Sequence, residues 1–223
     1  MSTFLQLAQR LAREVGVAGT GPATVVSQTG EAGRLVNWII SAWDDIQMAR
    51  TNWYWMRGDF TLPLVISQRA YTSTDAGIST RFGMWDTNSL RIKKVSADDE
   101  VPIDFAPYED FRDRYLIGPQ TVDKPQTYSI DPQLRLIFGP LPDYAYTITG
   151  EYYKANQTLS VDADLPEMPA QFHLAIVYRA MMMYARYNSA PEIYDDAQTN
   201  YMRIVNRLEM NQMPDAVASE PLV

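Results

Sequence analysis

The chain has 223 residues, 46% of them hydrophobic and 21% charged, so it can bury a sizeable core without covalent staples. The absence of cysteine excludes disulfides, thiolate metal sites and a cysteine nucleophile, and the single histidine, His173, excludes a multi-histidine metal site. A formal net charge of -8 argues against a phosphate-gripping surface over the whole chain, because nucleic-acid affinity rests on lysine and arginine.

The first residues, MSTFLQLAQRLARE, lack the long apolar core of a signal peptide, and no run of about 18 apolar residues is present, so the expectation is a protein without membrane contact, kept in the cytosol or in something assembled there. Phe4, Leu7, Ala8, Leu11 and Val15 fall on one helical stripe, with Thr3 as N-cap and Gly16 as stop. The glycine-rich GVAGTGPATVVSQTGEAG reads as a loop. It has no Lys-Ser/Thr ending and follows no strand, so it is not a phosphate loop. Leu35, Val36, Ile39, Ala42, Trp43, Ile46 and Ala49 then predict a long amphipathic helix from about Glu31 to Arg50.

That helix runs into TNWYWMRGDF, Thr51 to Phe60. Its aromatic faces could stack on a sugar, and Arg57-Gly58-Asp59 spells an adhesion tripeptide that acts only from an exposed loop. The plainer reading takes Trp53, Tyr54 and Trp55 as large rings filling the junction between a helical region and a strand region. It takes the triplet as the start of a strand, with Gly58 placed for its backbone freedom.

From Phe60 to about Tyr153 the pattern changes to short β-rich runs: FTLPLVIS, SLRIKKVS, TYSID, LRLIFGP and YAYTITGEYYK. In the last, Tyr144, Tyr146, Ile148, Gly150 and Tyr152 alternate with smaller or polar residues, the period of a strand with one face covered. Asp98-Asp99-Glu100 falls where a hairpin turn is expected, and PYEDFRDRYL reads as a short helix with Phe111 and Tyr115 at i,i+4. After SVDADLPEMP, a helix carries Phe172, Ala175, Ile176, Ala180, Met183 and Tyr187. Ser189 and Glu192 have the form of a capping box for a further helix carrying Tyr194, Ala197, Tyr201, Ile204 and Leu208, packed back on the previous one. The tail NQMPDAVASEPLV has no periodicity and reads as extended.

The fold expected is therefore α+β: a helical bundle, two N-terminal helices plus a C-terminal helical hairpin, from residues 1–58 and 160–210. An antiparallel β-rich subdomain, 59–159, is inserted in it, and an extended C-terminal arm, 211–223, follows. No candidate for catalysis stands out. His173 has no nucleophile context and reads as structural. The carboxylate pairs Asp44-Asp45, Asp98-Asp99-Glu100, Asp162/Asp164 and Asp195-Asp196 read as solvated acids, with nothing to select a hydrolytic or metal site among them. MMMYA, Met181 to Ala185, reads as flexible apolar packing rather than a binding groove.

The order of features from Tyr128 to Tyr187 carries more information than any one motif. A strand ends in Gly-Pro-Leu-Pro, a tyrosine-rich strand follows, then Tyr152-Tyr153-Lys154, Gln157-Thr158-Leu159, an acidic turn with Leu165-Pro166, and a helix opening at Pro169-Ala170-Gln171-Phe172-His173. In the N-terminal half the Gly-Thr-Gly-Pro loop, Thr29-Gly30-Glu31, and Trp38, Trp43, Asp44 and Ile46 precede the Trp53 to Met56 segment. This order resembles the head-to-tail adaptor, or connector, proteins of tailed bacteriophages. The resemblance implies a structural virion protein rather than an enzyme, made in the host cytoplasm and placed at the head-tail interface, with no cofactor and no metal. It implies a ring of subunits, a dodecamer in the usual case, docked on the portal protein. The ring extends the channel through which DNA passes without sequence-specific binding, and it presents a surface to the next tail component, a stopper, nozzle or tail-tube protein. In that reading Met210, Met213, Pro214, Val217, Pro221 and Leu222 are the apolar anchors of a portal-binding arm. A carbohydrate-binding or receptor-binding virion module is the second reading, and a hydrolase with paired carboxylates the third.

Overall fold

The computed structural model describes residues 2–17, 19–95 and 99–213. Its helices are α1 (Phe4–Glu14), α2 (Gly30–Met48), α3 (Tyr108–Phe111), α4 (Leu174–Asn188) and α5 (Pro191–Gln212). Its strands are β1 (Arg57–Pro63), β2 (Ala70–Tyr71), β3 (Phe82–Trp85), β4 (Arg91–Lys94), β5 (Val101–Pro102), β6 (Asp104–Phe105), β7 (Val122–Asp123), β8 (Thr127–Ile130), β9 (Leu136–Gly139), β10 (Leu141–Pro142) and β11 (Tyr146–Lys154). The chain is thus mixed α+β. It divides into two compact units, one from residues 1–56 with 156–223 and one from residues 57–155.

In the helical unit α1 starts where Thr3 accepts a hydrogen bond from the Gln6 N–H at 3.3 Å and the Gln6 side chain accepts from the Thr3 N–H at 3.0 Å, a reciprocal cap. It stops at Val15, where Gly16 turns left-handed at φ +72°. Its stripe Phe4, Leu7, Ala8, Leu11 is buried together with Leu35, Ile39, Trp43 and Ile46 of α2. α4 touches α1, α2 and α5, and its small buried residues Ala175, Ala180 and Ala185 permit that close approach on several sides. Between α2 and α4 the Arg179 guanidinium reaches the Asp45 carboxylate at 2.7 Å. Gln47, buried at the end of α2, donates to the Gln157 carbonyl at 3.1 Å and accepts from the Gln157 N–H at 2.7 Å. That side chain pairs with a passing backbone as a strand would.

Three expectations are corrected here. Ser189 and Glu192 form no capping box: α5 begins at Pro191, which makes Ala190 the N-cap and leaves no side-chain cap. Ser189 instead ends α4 in the left-handed conformation at φ 54°, because reversing the chain within two residues requires one such residue, while Pro191 fits the first helical position where its missing N–H is not needed. α5 also runs on through Asn211 to Gln212, and Met213 packs against the helical core, so the extended segment cannot start at 211. Ala49 and Tyr187 of the predicted stripes lie outside the core, Ala49 beyond the end of α2 and Tyr187 58% exposed.

In the second unit β11 is the central strand. It pairs antiparallel with β1 along one edge and with β4 and β3 along the other, and β5 extends the sheet from β4. Tyr146 and Ile148 of β11 are buried with Phe60 and Leu62 of β1, Trp85 and Ile92, while Tyr144, ahead of the strand, is exposed. The second sheet has the order β2-β9-β8-β6. Its ladders are antiparallel except for β6–β8, and the separate β7–β10 pair is parallel, so the subdomain is mainly antiparallel as expected, with two short parallel ladders. Both are two-residue ladders, too short to show a period in sequence. Tyr128 is fully buried and donates to the Thr87 carbonyl at 2.6 Å, and burial pushes its hydroxyl pKa far up. α3 continues as one π-helical turn, Arg112–Leu116, which brings the buried Phe111 ring to 4.9 Å from Tyr115.

β1 starts at Arg57, so the Arg-Gly-Asp triplet is paired strand rather than a projecting loop, with Gly58 opposite Tyr152 and Asp59 opposite Glu151. Gly58 is not there for backbone freedom, as the sequence reading has it. Its φ is not left-handed, and a Cβ at this position would stand 2.7 Å from the Tyr152 ring. Gly58→Ala is expected to destabilise the protein by about 1–3 kcal/mol through overpacking, and Asp59→Ala, at an exposed position, by less than about 0.5 kcal/mol. Thermal melts of the two variants check this. Equal melting temperatures would contradict the steric account.

Candidate docking surfaces

Trp53 is fully buried and its indole N–H donates to the Ile46 carbonyl at 3.1 Å, closing a backbone acceptor left open at the end of α2. Trp55 stacks on it with ring centroids 4.5 Å apart and planes 20° apart, and Tyr54, 45% exposed, forms with Trp55 and Met56 a short 3-10 turn. A sugar platform needs an open face on the ring, and Trp53 has none. Trp53→Ala is expected to cost about 3–5 kcal/mol, with Trp55→Ala costing less because that ring is only partly buried. Denaturant melts of both variants test the order, which inverts if Trp55 is the anchor.

The C-terminal end of α5 offers a surface. Met210 is 87% exposed, an apolar side chain standing in water one turn from the half-buried Met213. Beside them a groove of about 480 Å³ is lined by Gln171, Phe172, Ile204, Arg207, Met210 and Asn211. The remaining arm residues of the sequence reading, Pro214, Val217, Pro221 and Leu222, lie outside the described residues.

Two further surfaces escape the sequence reading. A groove of about 650 Å³ lies between α1 and the first turn of α4, and Gln6, Gln9, Arg10, Arg13, Gln171 and Leu174 are among its lining. At the far end of α4 the hairpin tip carries Arg186, whose guanidinium lies 5.2 Å over the Tyr194 ring, with Tyr187 packed on Trp38 at 5.7 Å and under Arg34 at 4.8 Å. The signal for the first is Arg10 and Arg13, three apart on the polar face of α1. For the second it is Arg186-Tyr187 before a tight turn and Tyr194 after it.

The candidates for chemistry resolve into structural groups. His173 is buried, accepts from the Ser2 N–H at Nδ1 (3.2 Å) and faces the Met168 carbonyl with Nε2 (2.9 Å), which suits the neutral ring carrying its proton on Nε2. Asp162 accepts from the Val25 N–H at 2.6 Å and from Thr24 at 3.0 Å. Asp164 is held below the usual carboxylate range by hydrogen bonds from the Ser160 and Val161 N–H groups. Asp45 is paired with Arg179, and burial followed by the neighbouring Asp45 charge raises Asp44. Asp98 lies outside the described residues, among which no cluster of three or more His, Cys, Asp or Glu could hold a metal ion. Among the same residues no helix is long and apolar enough to cross a membrane.

Burial lowers the His173 pKa below its ordinary value of 6.5, so the unfolded chain takes up the proton first as pH falls. The stability tied to the neutral ring is present above the unfolded pKa and is lost as pH falls toward the folded one. Between about pH 7 and pH 5.5 the melting temperature is expected to fall more for the parent than for His173→Gln, which has no titratable ring. Parallel melting curves across that window would contradict it.

Compared with known proteins, the sequence matches the family model described as SU10 adaptor protein over residues 2–220. No curated protein matches it.

Proposed function

The chain belongs to the SU10 adaptor protein family, as its resemblance to phage head-to-tail adaptors anticipates, and on that premise we propose that it is a structural head-to-tail adaptor of a tailed bacteriophage. It forms a ring under the portal, extends the DNA channel and docks the next tail component. The match across residues 2–220 carries this reading, since it takes in both compact units.

Three properties support it. A net charge of -8 suits a channel wall along which DNA must slide, because a wall that neutralised phosphates would retain the polymer. The exposed Met210 at the end of α5, with a groove beside it, suits the root of an arm that binds a preformed partner surface. Asp45, Asp162 and Asp164 are engaged in an ion pair and in hydrogen bonds from backbone N–H groups, which suits a protein whose work is assembly rather than catalysis.

The arm itself, from Pro214 on, is taken to bind the portal. Ordering a backbone costs roughly 1–2 kcal/mol per residue, so a segment with scattered apolar side chains needs a groove that supplies partners, and many copies in a ring then act together. Deleting Pro214 to Val223 is expected to leave the melting temperature of the isolated protein unchanged and to abolish its sedimentation with portal-bearing capsids. Met213 is retained because it packs against the helical core. A truncated protein that sediments with the capsids as the parent does would remove the arm from this function.

A further inference from the structure

We propose that the helical unit docks head to tail on a second copy of this chain, the tip of the α4–α5 hairpin of one copy seating in the groove between α1 and the first turn of α4 of the next. The inference deepens the ring reading and rests on it.

Charge selects the pairing. In the groove Arg10 is paired with Glu14 at 2.5 Å, but Arg13 is exposed and has no acidic partner among the described residues. The nearby loop acids do not neutralise it, since Asp162 and Asp164 are engaged by backbone N–H groups. The tip carries Glu192, Asp195 and Asp196, all exposed and without a cationic partner among the described residues. Of the cations nearby, Arg186 is held by Tyr194, whose hydroxyl it meets at 3.1 Å, and Arg34 lies over the Tyr187 ring at 4.8 Å. Composition agrees with charge: the exposed Tyr187 and the Arg186–Tyr194 pair belong to the residue types that anchor protein interfaces.

Geometry makes the contact intermolecular. The groove lies at the first turn of α4 and the tip just past its last, so the 15-residue helix separates them by about 22 Å. A tip cannot reach its own groove. Two copies meeting tip to tip would set carboxylates against carboxylates, so the symmetric dimer is disfavoured. Contact between two different patches is heterologous, and it closes into a ring when the rotation between copies permits.

The chain has no cysteine, which makes the test direct. Arg13→Cys and Asp195→Cys proteins, mixed in equal amounts on portal-bearing capsids and oxidised with copper phenanthroline, are expected to give a disulfide-linked dimer that neither variant gives alone. One chain carrying both substitutions is expected to give a ladder of larger multimers. Adding Arg10→Glu to the Arg13→Cys protein is expected to lower the yield about fivefold or more. If parent protein attaches to the capsids and the mixture gives no dimer there, this assignment of surfaces is overturned while the adaptor reading stands. If the parent does not attach at all, the adaptor reading fails and this inference fails with it.

Discussion

The helical unit depends on α4 meeting helices that lie more than a hundred residues away along the chain. α1 and α2 bury an apolar face against α4, and α4 in turn packs along α5. Two polar contacts fix this arrangement where apolar packing alone would permit sliding. Gln47 pairs with the Gln157 backbone where the chain returns to the unit, and His173 accepts from the Ser2 N–H at the other end of the chain segment. Both are buried, so losing either leaves a donor or acceptor without a partner, at a cost of about 1–3 kcal/mol. The residues between, 57–155, are free to form their own core, which is built around β11.

Much of this was legible because the helices announce themselves through period and punctuation. Thr3 and Gly16 bracket α1, and the 3-4 spacing of Leu35 to Ile46 marks the buried face of α2. The nine residues of β11 alternate clearly enough to be read as one strand. What stayed hidden was set by tertiary contact. The two-residue ladders β6–β8 and β7–β10 carry no period of their own and exist because neighbouring strands offer them partners. Ser189 has the chemistry of an N-cap and is placed left-handed by the tight reversal before Pro191. Gly58 reads locally as a conformational glycine, whereas its reason is the Tyr152 ring across the sheet, which no local window contains.

The candidate site divides in the same way. Trp53 and Trp55 could be weighed as core because they follow a buried helix, but the hydrogen bond from Trp53 to Ile46 needs the chain folded back on itself. Met210 could be picked out as apolar near the end of the chain, whereas the groove beside it is made by residues from two distant segments, Gln171 with Phe172 and Ile204 to Asn211. Docking surfaces of this kind have no motif. They are assembled from ordinary residues that share an edge, and for an adaptor that is where function resides.

The central claim is attachment at the portal vertex. The most direct measurement is electron cryomicroscopy of portal-bearing, tailless capsids of the same phage, imaged with and without the purified protein. The account predicts an added ring of density beneath the portal, symmetric about the channel axis, into which both compact units can be placed. Capsids that look the same with and without the protein, under conditions where they still accept their native tail components, would contradict it.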